Sequence, residues 1–313
     1  MFEFVRYMPD KADEWNAFVA RSKNATFLLD RRYMDYHQDR FIDCSLMVYE
    51  RERLFGLLPA NDDQNGTWWS HQGLTYGGLV MDEQTMAESV RQLFRELNDY
   101  LHCHGFQRVV YKPVPHIFHR MPSEEDVYSL FSVCDGRLID RGISSAIDLS
   151  TRPKWHRDRR YGVNKALKNG VTAGESDDWK GFWEVLTFNL QNKYGASPVH
   201  ALEEIMLLHS RFPDNIRLFT ATRNGQVLGG TVIYVTPVVV HTQYISANTE
   251  GKRLRVIDAL FDHILNDVHW NARYFDFGTS NEEGGRVLVE PLIYQKEGFG
   301  GRGICYDWYE WKL

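Results

Sequence analysis

Asn271–Gly301 (NARYFDFGTSNEEGGRVLVEPLIYQKEGFGG) is the stretch that decides how this chain folds. Its pattern predicts a buried strand at Tyr274–Phe277 that ends at Gly278, then a polar loop, then a short segment that carries Lys296 into a glycine-rich turn. Asp276 lies inside the apolar strand, where a lone carboxylate is costly unless it is paired. An acid, a lysine and flexible backbone at a strand tip are typical of a ligand-binding edge of a sheet. On spacing alone a simpler interpretation stays open, in which Asp276 caps a loop and Lys296 is solvated.

Composition limits the class of protein. The chain has 313 residues, enough for two domains, and its 43% hydrophobic and 25% charged residues are typical of a soluble globular protein. The net charge of -6 argues against a dedicated nucleic-acid coat, although it allows local basic patches. The four cysteines form no CxxC pair and the histidines show no metal-ligand spacing, so we expect reduced thiols and no metal site. The N-terminus has no apolar signal segment and no run is long enough for a membrane helix, so we expect a cytoplasmic protein.

The two halves show the same order of elements: helices, hairpin, strand, helix and strand. In the first half the pattern predicts helices at 11–21 and 85–104, a turn followed by a helix within 24–41, strands at 45–50, 54–60, 106–111 and 144–149, and a strand interrupted by glycines at 68–80. In the second half it predicts helices at 179–192, 201–211 and 254–268, and strands at 217–222, 226–235 and 238–246. Asn224-Gly225 indicates a tight hairpin turn between two of these strands. We therefore predict an α/β (α+β) chain of two similar domains, 1–150 and 151–313, with mixed central sheets flanked by helices.

Thr151–Lys168 (TRPKWHRDRRYGVNKALK) is the most basic segment and marks the predicted domain boundary. Helical spacing places Arg157 and Lys165 on one face and Arg160 on a neighbouring one. Arginine and lysine side chains along a helix face suit phosphate groups. A solvated connecting helix explains the same pattern, and both interpretations stay open.

Several segments together resemble the FemAB-like branch of the acyl-CoA N-acyltransferase (GNAT) superfamily. They are GLTYGG (Gly73–Gly78), KWHRDRRYGVNKALKNGV (Lys154–Val171), the hairpin that ends in Gly229-Gly230, FDFGTSN (Phe275–Asn281) and YQKEGFGG (Tyr294–Gly301). The resemblance implies tandem GNAT-like domains, with the transfer site in the second. It also implies N-acyl transfer. The peptidoglycan-bridge members move an aminoacyl group from a charged tRNA to an amine of a lipid-linked or nucleotide-linked muropeptide, and other relatives use acyl-CoA.

The resemblance also implies roles for individual residues. Lys296 matches the family's lysine at the acyl-transfer site, and Asp276 matches its strand acid. Acyl transfer to an amine needs an acceptor for the amine proton and a positive or N–H group near the developing oxyanion. We therefore expect Lys296 to stabilise the oxyanion and Asp276 or Tyr244 to orient the amine. The residues expected to contact the substrate are Arg157, Arg160, Lys165, Tyr76, Lys112 and Tyr294.

The donor loop departs from the pattern of the acetyl-CoA enzymes. Those enzymes usually carry Gln/Arg-x-x-Gly-x-Gly/Ala, whose amides hold a pyrophosphate at a helix N-terminus. Here residues 248–255 read NTEGKRLR, with Gly251 as the single glycine and Glu250 beside the place for phosphates. Arg253 and Arg255 supply compensating charge, so with Gly251 they are the expected cofactor contacts. We expect no tightly bound cofactor and either acyl-CoA or aminoacyl-tRNA as the donor substrate.

Three functions remain open at this point. The favoured one is transfer of an aminoacyl or acyl group onto an amine of a cell-envelope precursor. The others are CoA-dependent N-acetylation of a small amine, and non-catalytic binding with a degenerate donor site. The expected partners are an amine-bearing small molecule or muropeptide precursor and, for the first function, tRNA. Transfer from an ester or thioester arm requires the second sheet to open beside Val240–Ser246.

Overall fold

The structure, a computed structural model, describes residues 1–313 apart from the side chain of Tyr194. These residues form two units, the first comprising Met1–Ile143, Asn281–Leu288 and Cys305–Leu313, and the second comprising Ser144–Ser280 and Val289–Ile304. The units are discontinuous, because the chain returns to the first one twice near its end. The predicted domains 1–150 and 151–313 stay a prediction, since a unit of this kind need not coincide with a domain of the family.

The elements are numbered along the chain. The strands are β1 (Glu3–Arg6), β2 (Ile42–Asp43), β3 (Leu46–Glu50), β4 (Arg53–Leu58), β5 (Asn61–Asp62), β6 (Thr67–Trp69), β7 (Val80–Met81), β8 (Arg108–Tyr111), β9 (Arg137–Asp148), β10 (Thr172–Glu175), β11 (Ile216–Arg223), β12 (Gln226–Val235), β13 (Val239–Ala247), β14 (Tyr274–Thr279), β15 (Asn281–Glu282), β16 (Val287–Leu288) and β17 (Arg302–Lys312). The helices are α1 (Ala12–Arg21), α2 (Arg31–Met34), α3 (Ala87–Cys103), α4 (Glu125–Ser132), α5 (Arg157–Lys168), α6 (Trp179–Tyr194), α7 (Leu202–Arg211), α8 (Thr249–Leu254), α9 (Val256–Asn266) and α10 (Glu290–Gly298). In the described part of the chain, no helix has the length and apolar surface needed to cross a membrane.

The first unit contains two larger groups of paired strands, the short pair of β15 with β16, and one long helix. Strands β1, β3, β4 and β7 form an antiparallel sheet, while the C-terminal half of β17 pairs with β8, which is followed by β6, β5 and β2. Helix α3 buries one side in the core of this unit, as the predicted apolar spacing requires. Its core residues are Val90, Leu93, Phe94, Leu97 and Leu101.

The second unit contains the strands that position the site. Strands β10 to β13 are antiparallel neighbours, β14 lies parallel to β13, and the end of β9 runs antiparallel to β14. Helix α9 connects β13 to β14 and packs its apolar side on this sheet, where Phe261 contacts Phe275, Phe277 and Phe299. The predicted tight turn is confirmed, since Asn224 and Gly225 have φ angles of 51° and 78°.

Two predicted elements of the first unit are shorter than predicted. A turn does open the segment 24–41, but of the helix predicted to follow it only Arg31–Met34 is α-helical. The Thr26 and Asp30 side chains each accept a hydrogen bond from a backbone N–H two residues later, so each starts a separate short turn. The interrupted strand predicted over 68–80 is mostly loop, with strands only at its two ends. Glycine is needed at position 77 because two loop segments approach each other closely there. A Cβ at Gly77 would lie 2.1 Å from the Ser70 carbonyl oxygen.

Candidate active site

Strands β13 and β14 run side by side and then part. They pair only between Val239–His241 of β13 and Tyr274–Asp276 of β14. Beyond this segment β13 continues to Ala247 and β14 to Thr279, and the described residues form no further pair between the two strands. Backbone N–H and C=O groups along an opened strand offer hydrogen bonds to an extended ligand. The sheet therefore opens at the place where an ester or thioester arm was expected to enter.

Asp276 is completely buried at the end of the paired segment. One carboxylate oxygen accepts a hydrogen bond from Ser144 Oγ, and the other lies 2.7 Å from His241 Nδ1. Because a buried carboxylate without partners is strongly unfavourable, these bonds explain how the apolar strand tolerates an acid. Asp276 is therefore a paired acid held by side chains of the two neighbouring strands.

Lys296 lies in the last turn of α10 and is only 4% exposed. Its Nζ donates to the carbonyl oxygens of Gly278 at 2.8 Å and Thr279 at 2.7 Å, where β14 has already parted from β13. Burial lowers the pKa of the ammonium to about 8, and the Asp276 carboxylate opposes that shift. An ammonium has three N–H donors, so these two carbonyls leave one for another acceptor. Lys296 is thus a buried cation beside the opening and not a solvated side chain.

Tyr244 lies on β13 and is held by a histidine. Its hydroxyl oxygen accepts a hydrogen bond from the His200 backbone N–H at 3.2 Å and lies 2.6 Å from His200 Nδ1. Burial raises the pKa of Tyr244 to about 12, so the phenol stays neutral at physiological pH. Trp183 packs edge-on at a ring distance of 5.4 Å. The role of Tyr244 in orienting an amine stays a prediction.

Sequence reasoning missed His241 and Ser144, the two partners of Asp276. The signal for His241 was present, since it is a titratable ring at the end of the apolar run Val238–Val240. Ser144 gave no such signal, because a serine at the edge of a predicted strand is unremarkable in itself. Neither pairing is readable from the local sequence, because the acid is separated from its two partners by 35 and 132 residues.

The basic helix α5 is amphipathic. Gly162 and Ala166 are among its buried residues, and Ala166 belongs to the hydrophobic core, whereas Arg157 and Arg160 are exposed and Lys165 is half-buried. Among the described residues no acid forms an ion pair with any of these three cations. The helix therefore presents positive charge that is not neutralised, as the predicted phosphate-binding strip requires.

The predicted donor loop is mostly a short helix. Helix α8 spans Thr249–Leu254, and Asn248 Oδ1 accepts a hydrogen bond from Gly251 N at 2.8 Å. A Cβ at Gly251 would lie 2.3 Å from the Leu228 carbonyl oxygen, so glycine is required for α8 to pack on β12. Arg255 follows in the left-handed region with a φ of 65°. The cofactor contact predicted for Gly251 stays a prediction, and its amide already has a partner.

Arg255 belongs to a network of four charges. It contacts Asp258 at 2.5 Å and Asp158 at 2.9 Å, and Arg159 pairs with the same two acids. Burial raises the pKa of Asp258, whereas the hydrogen bond from Arg255 lowers the pKa of Asp158. Two arginines and two aspartates cancel in charge, so Arg255 offers little net charge to a phosphate.

A cavity of about 270 Å³ lies against this network. Tyr294, which is 55% exposed, and Lys252 contribute to its wall. Close to it Glu250 forms ion pairs with Arg223 at 3.1 Å and Arg253 at 3.7 Å. The predicted contacts of Arg253 and Tyr294 with a ligand stay predictions, and only Tyr294 of the two lines the cavity.

Tyr76 and Lys112, which were predicted to contact the substrate, belong to the first unit and are buried. The Tyr76 hydroxyl is hydrogen-bonded to Thr26 Oγ1 at 2.9 Å. Lys112 Nζ donates to the Leu74 carbonyl oxygen at 2.5 Å and lies 4.9 Å from the centre of the Trp308 ring. Burial lowers the pKa of Lys112 to about 7. These contacts hold the GLTYGG loop in place, and the role of both residues in substrate binding stays a prediction.

One family model matches the chain. Residues 155–284 match the model described as Acetyltransferase (GNAT) domain. This range includes α5, the donor loop, His241 and Asp276, while Lys296 lies beyond it. No curated protein sequence is significantly similar to the chain.

Solved structures with the same fold cover almost the whole chain. FemX has a TM-score of 0.69 at 11% identity, over 99% of this chain and 97% of its own. The L-PGS of Bacillus licheniformis has a TM-score of 0.61 at 13% identity, over 98% of this chain and 92% of its own. A tandem GNAT protein from the clavulanic acid biosynthesis pathway has a TM-score of 0.54 at 12% identity, over 100% of this chain and 98% of its own.

Proposed function

The chain carries a GNAT acyltransferase domain in a fold of the FemAB-like, tandem GNAT type, and from this premise we propose that it transfers an aminoacyl group from an ester donor to an amine of a cell-envelope precursor. The predicted family resemblance, the tandem α/β fold and the acyltransferase class are confirmed. The donor, the acceptor and the roles of single residues are the proposal.

One observation carries this proposal: β13 and β14 part next to a buried acid and a buried lysine. The opening gives the reacting carbonyl group access to the two strands at the end where they part. Lys296, with one N–H donor beyond the two bound carbonyls, stabilises the negative charge that develops on the carbonyl oxygen. Asp276 keeps the ammonium in a site of balanced charge, because its carboxylate is the neighbouring anion.

The charges around the donor loop favour one of the two possible donors over the other. In the acetyl-CoA enzymes a pyrophosphate binds to free amides at a helix N-terminus. Here the Gly251 amide is bonded to Asn248, Arg255 is neutralised by two aspartates, and Glu250 adds a carboxylate. An aminoacyl ester carries no pyrophosphate at this place, so these features favour an aminoacyl-tRNA over acyl-CoA.

A direct comparison of the two donors tests this assignment. We expect the chain to move a labelled amino acid from charged total tRNA to a nucleotide-linked muropeptide, because the sheet opening accepts an ester arm. We expect acetyl-CoA to bind with a Kd weaker than about 100 µM, which is about -5.5 kcal/mol. Transfer is measured by scintillation counting of the separated muropeptide, and CoA binding by isothermal titration calorimetry. Micromolar binding of acetyl-CoA without transfer from tRNA would contradict the proposed donor.

The exposed cations of α5 supply the polyanion contact of this proposal. Arg157→Gln combined with Arg160→Gln should weaken tRNA binding and reduce the slope of log Kd against log salt concentration by about 1 to 2, since each lost phosphate contact removes ~0.7 to 0.9. Filter binding across a range of salt concentrations measures both quantities. Arg91→Gln with Arg95→Gln is the matched control, because it removes two arginines from α3 of the first unit. An equal loss in both double variants would assign the effect to net charge and not to α5.

A second function, CoA-dependent N-acetylation of a small amine, is favoured by one observation. The cavity of about 270 Å³ includes Val256 and Ile257 of the first turn of α9, the position of the phosphate-binding helix start in the acetyl-CoA enzymes. Lys252 in the same wall adds a positive charge. Saturable micromolar binding of acetyl-CoA, with transfer to a small amine, would establish this function in place of the first.

A further inference from the structure

We propose that His241 is the general base of the transfer reaction and that Asp276 positions its ring, an inference that rests on the proposed function. His241 is the last residue of β13 that pairs with β14, and it lies directly opposite Asp276. Its Nδ1 is 2.7 Å from the carboxylate. The imidazole side chain is 13% exposed, whereas the acid is completely buried. The pair thus lies where the strands part, with the imidazole nearer to solvent.

This hydrogen bond defines the role of each ring nitrogen. A carboxylate only accepts hydrogen bonds, so Nδ1 of His241 carries a proton and donates it. In the neutral ring the lone pair is then on Nε2, which is the nitrogen that can take a proton. Ser144 Oγ donates to the other oxygen of Asp276 and limits rotation of the carboxyl group. The same carboxylate stabilises the positive ring that forms when Nε2 is protonated.

The imidazole of His241 reaches the segment of β14 that no longer pairs with β13. A Cβ at Gly278 would lie 3.4 Å from Cε1 of His241, so the ring extends past Asp276 toward this glycine. The carbonyl oxygen of the same glycine accepts a hydrogen bond from Lys296. A base and a cation therefore lie next to one residue at the opening, which is what attack by an amine on an acyl group requires.

The charged and titratable neighbours of the ring are compatible with this role. Asp276 faces it from β14, and the same carboxylate acts on the ammonium of Lys296 of α10. Tyr234, buried on β12, is the residue paired with His241 on the other side. The acid and the lysine are opposite in charge, so the ring sits beside a balanced pair.

The proposed step balances in atoms and charge. The neutral amine attacks the carbonyl carbon of the ester and forms the new C–N bond, while the carbonyl electron pair moves to the oxygen beside Lys296. Nε2 of His241 takes the N–H proton of the attacking nitrogen. The tetrahedral intermediate then collapses, the ester C–O bond breaks, and its electron pair leaves on the departing oxygen. His241 returns the proton to that oxygen, which gives an amide and an alcohol.

His241→Asn is the decisive variant, because the asparagine amide can still donate to Asp276 but has no lone pair to take a proton. We expect kcat to fall about 100-fold or more, the usual contribution of a general base. KM for both substrates should change by less than about threefold, because ground-state binding is not altered. In His241→Ala, added imidazole should restore part of kcat, and more basic substituted imidazoles should restore more. Loss of a merely structural contact would not respond to the basicity of an added molecule.

His263→Asn is the matched control. His263 also pairs through Nδ1 with an acid, Asp267 at 3.0 Å, but on α9 away from the opening, so its kcat should equal that of the wild type. If His241→Asn keeps the kcat of the wild type, or changes only KM, the inference is wrong while the proposed function stands. A wild-type chain that transfers no acyl group to any amine overturns the proposed function and the inference together.

Discussion

Lys296→Met should lower kcat for acyl transfer by about 100- to 1000-fold, the cost of removing one donor from an oxyanion site. Methionine fills the same buried space but has no N–H, so the developing oxyanion loses its partner. The carbonyl groups of Gly278 and Thr279 also lose their donor, at about 1–3 kcal/mol for each unsatisfied buried group. The Asp276 carboxylate keeps its hydrogen bonds from Ser144 and His241, so the variant should still fold. Label transfer measures kcat, and urea unfolding measures stability.

Lys23→Met separates the loss of chemistry from the loss of a buried lysine. Lys23 is also 4% exposed, and its Nζ contacts the Thr85 carbonyl oxygen at 3.2 Å and Glu125 at 2.5 Å. It lies in the first unit and has no part in the proposed reaction. We expect this variant to lose stability and to keep its kcat. Unchanged kcat in Lys296→Met would remove Lys296 from the mechanism.

The pH dependence of the wild type provides a second measurement on Lys296. Burial lowers its pKa from 10.5 to about 8, so the folded protein loses the ammonium charge as pH rises through about 8. Because only the protonated form supplies the third N–H and the charge, kcat should fall over that range. A kcat that stays level up to pH 10 would contradict the oxyanion role.

Asp276→Asn should destabilise the second unit by about 3 kcal/mol or more, because the buried Lys296 ammonium would lose the carboxylate that compensates its charge. The carboxylate accepts from Ser144 and His241 and acts on the Lys296 ammonium, so these three neighbours are donors or cations. An asparagine would turn two N–H donors toward these groups and would remove the compensating charge. Urea unfolding measures the change in the free energy of unfolding. Hydrogen exchange, followed on peptides from each unit, shows which unit is destabilised.

Asp126→Asn is the comparison for this prediction, because Asp126 is a buried acid with neutral partners. It accepts from the Tyr111 hydroxyl at 2.7 Å and from the Val127 N–H at 2.8 Å, and burial raises its pKa to about 6. The carbonyl oxygen of an asparagine side chain can still accept from this hydroxyl, which itself accepts from the Leu79 N–H, so we expect a loss of only about 1–2 kcal/mol. Equal losses in the two variants would show that the charge of Asp276 is unimportant for stability.

Local sequence patterns predicted most of the elements that carry the site. The strand at Tyr274–Phe277, the hairpin around Asn224-Gly225 and the basic helix each follow from spacing within a few residues. The helix predicted to follow a turn within 24–41 is short, because side-chain caps at Thr26 and Asp30 start separate turns that apolar spacing does not reveal. Patterns of this kind identify an element and not the length over which it stays regular.

The contacts that define the site depend on partners far apart in the chain. The acid at 276 was expected to need a partner, but His241 and Ser144 are brought to it by strand pairing and not by spacing. The point at which β13 and β14 part is likewise a property of register, which depends on both strands and on β9. The network of Arg255 with Asp158 and Asp258 also joins α5 to α9. Such features become visible only once the strands and helices are assembled.

The parting of β13 from β14 also bears on how quickly a substrate can be captured. Because Lys296 anchors the carbonyls of Gly278 and Thr279, the end of β14 is held away from its neighbour by the chain's own hydrogen bonds. The arm of an incoming substrate therefore does not have to break hydrogen bonds between β13 and β14. The entropic cost of ordering this opening is already included in the folding of the chain. Capture should then proceed in a single kinetic phase whose rate is proportional to substrate concentration, without a slow isomerisation before or after encounter.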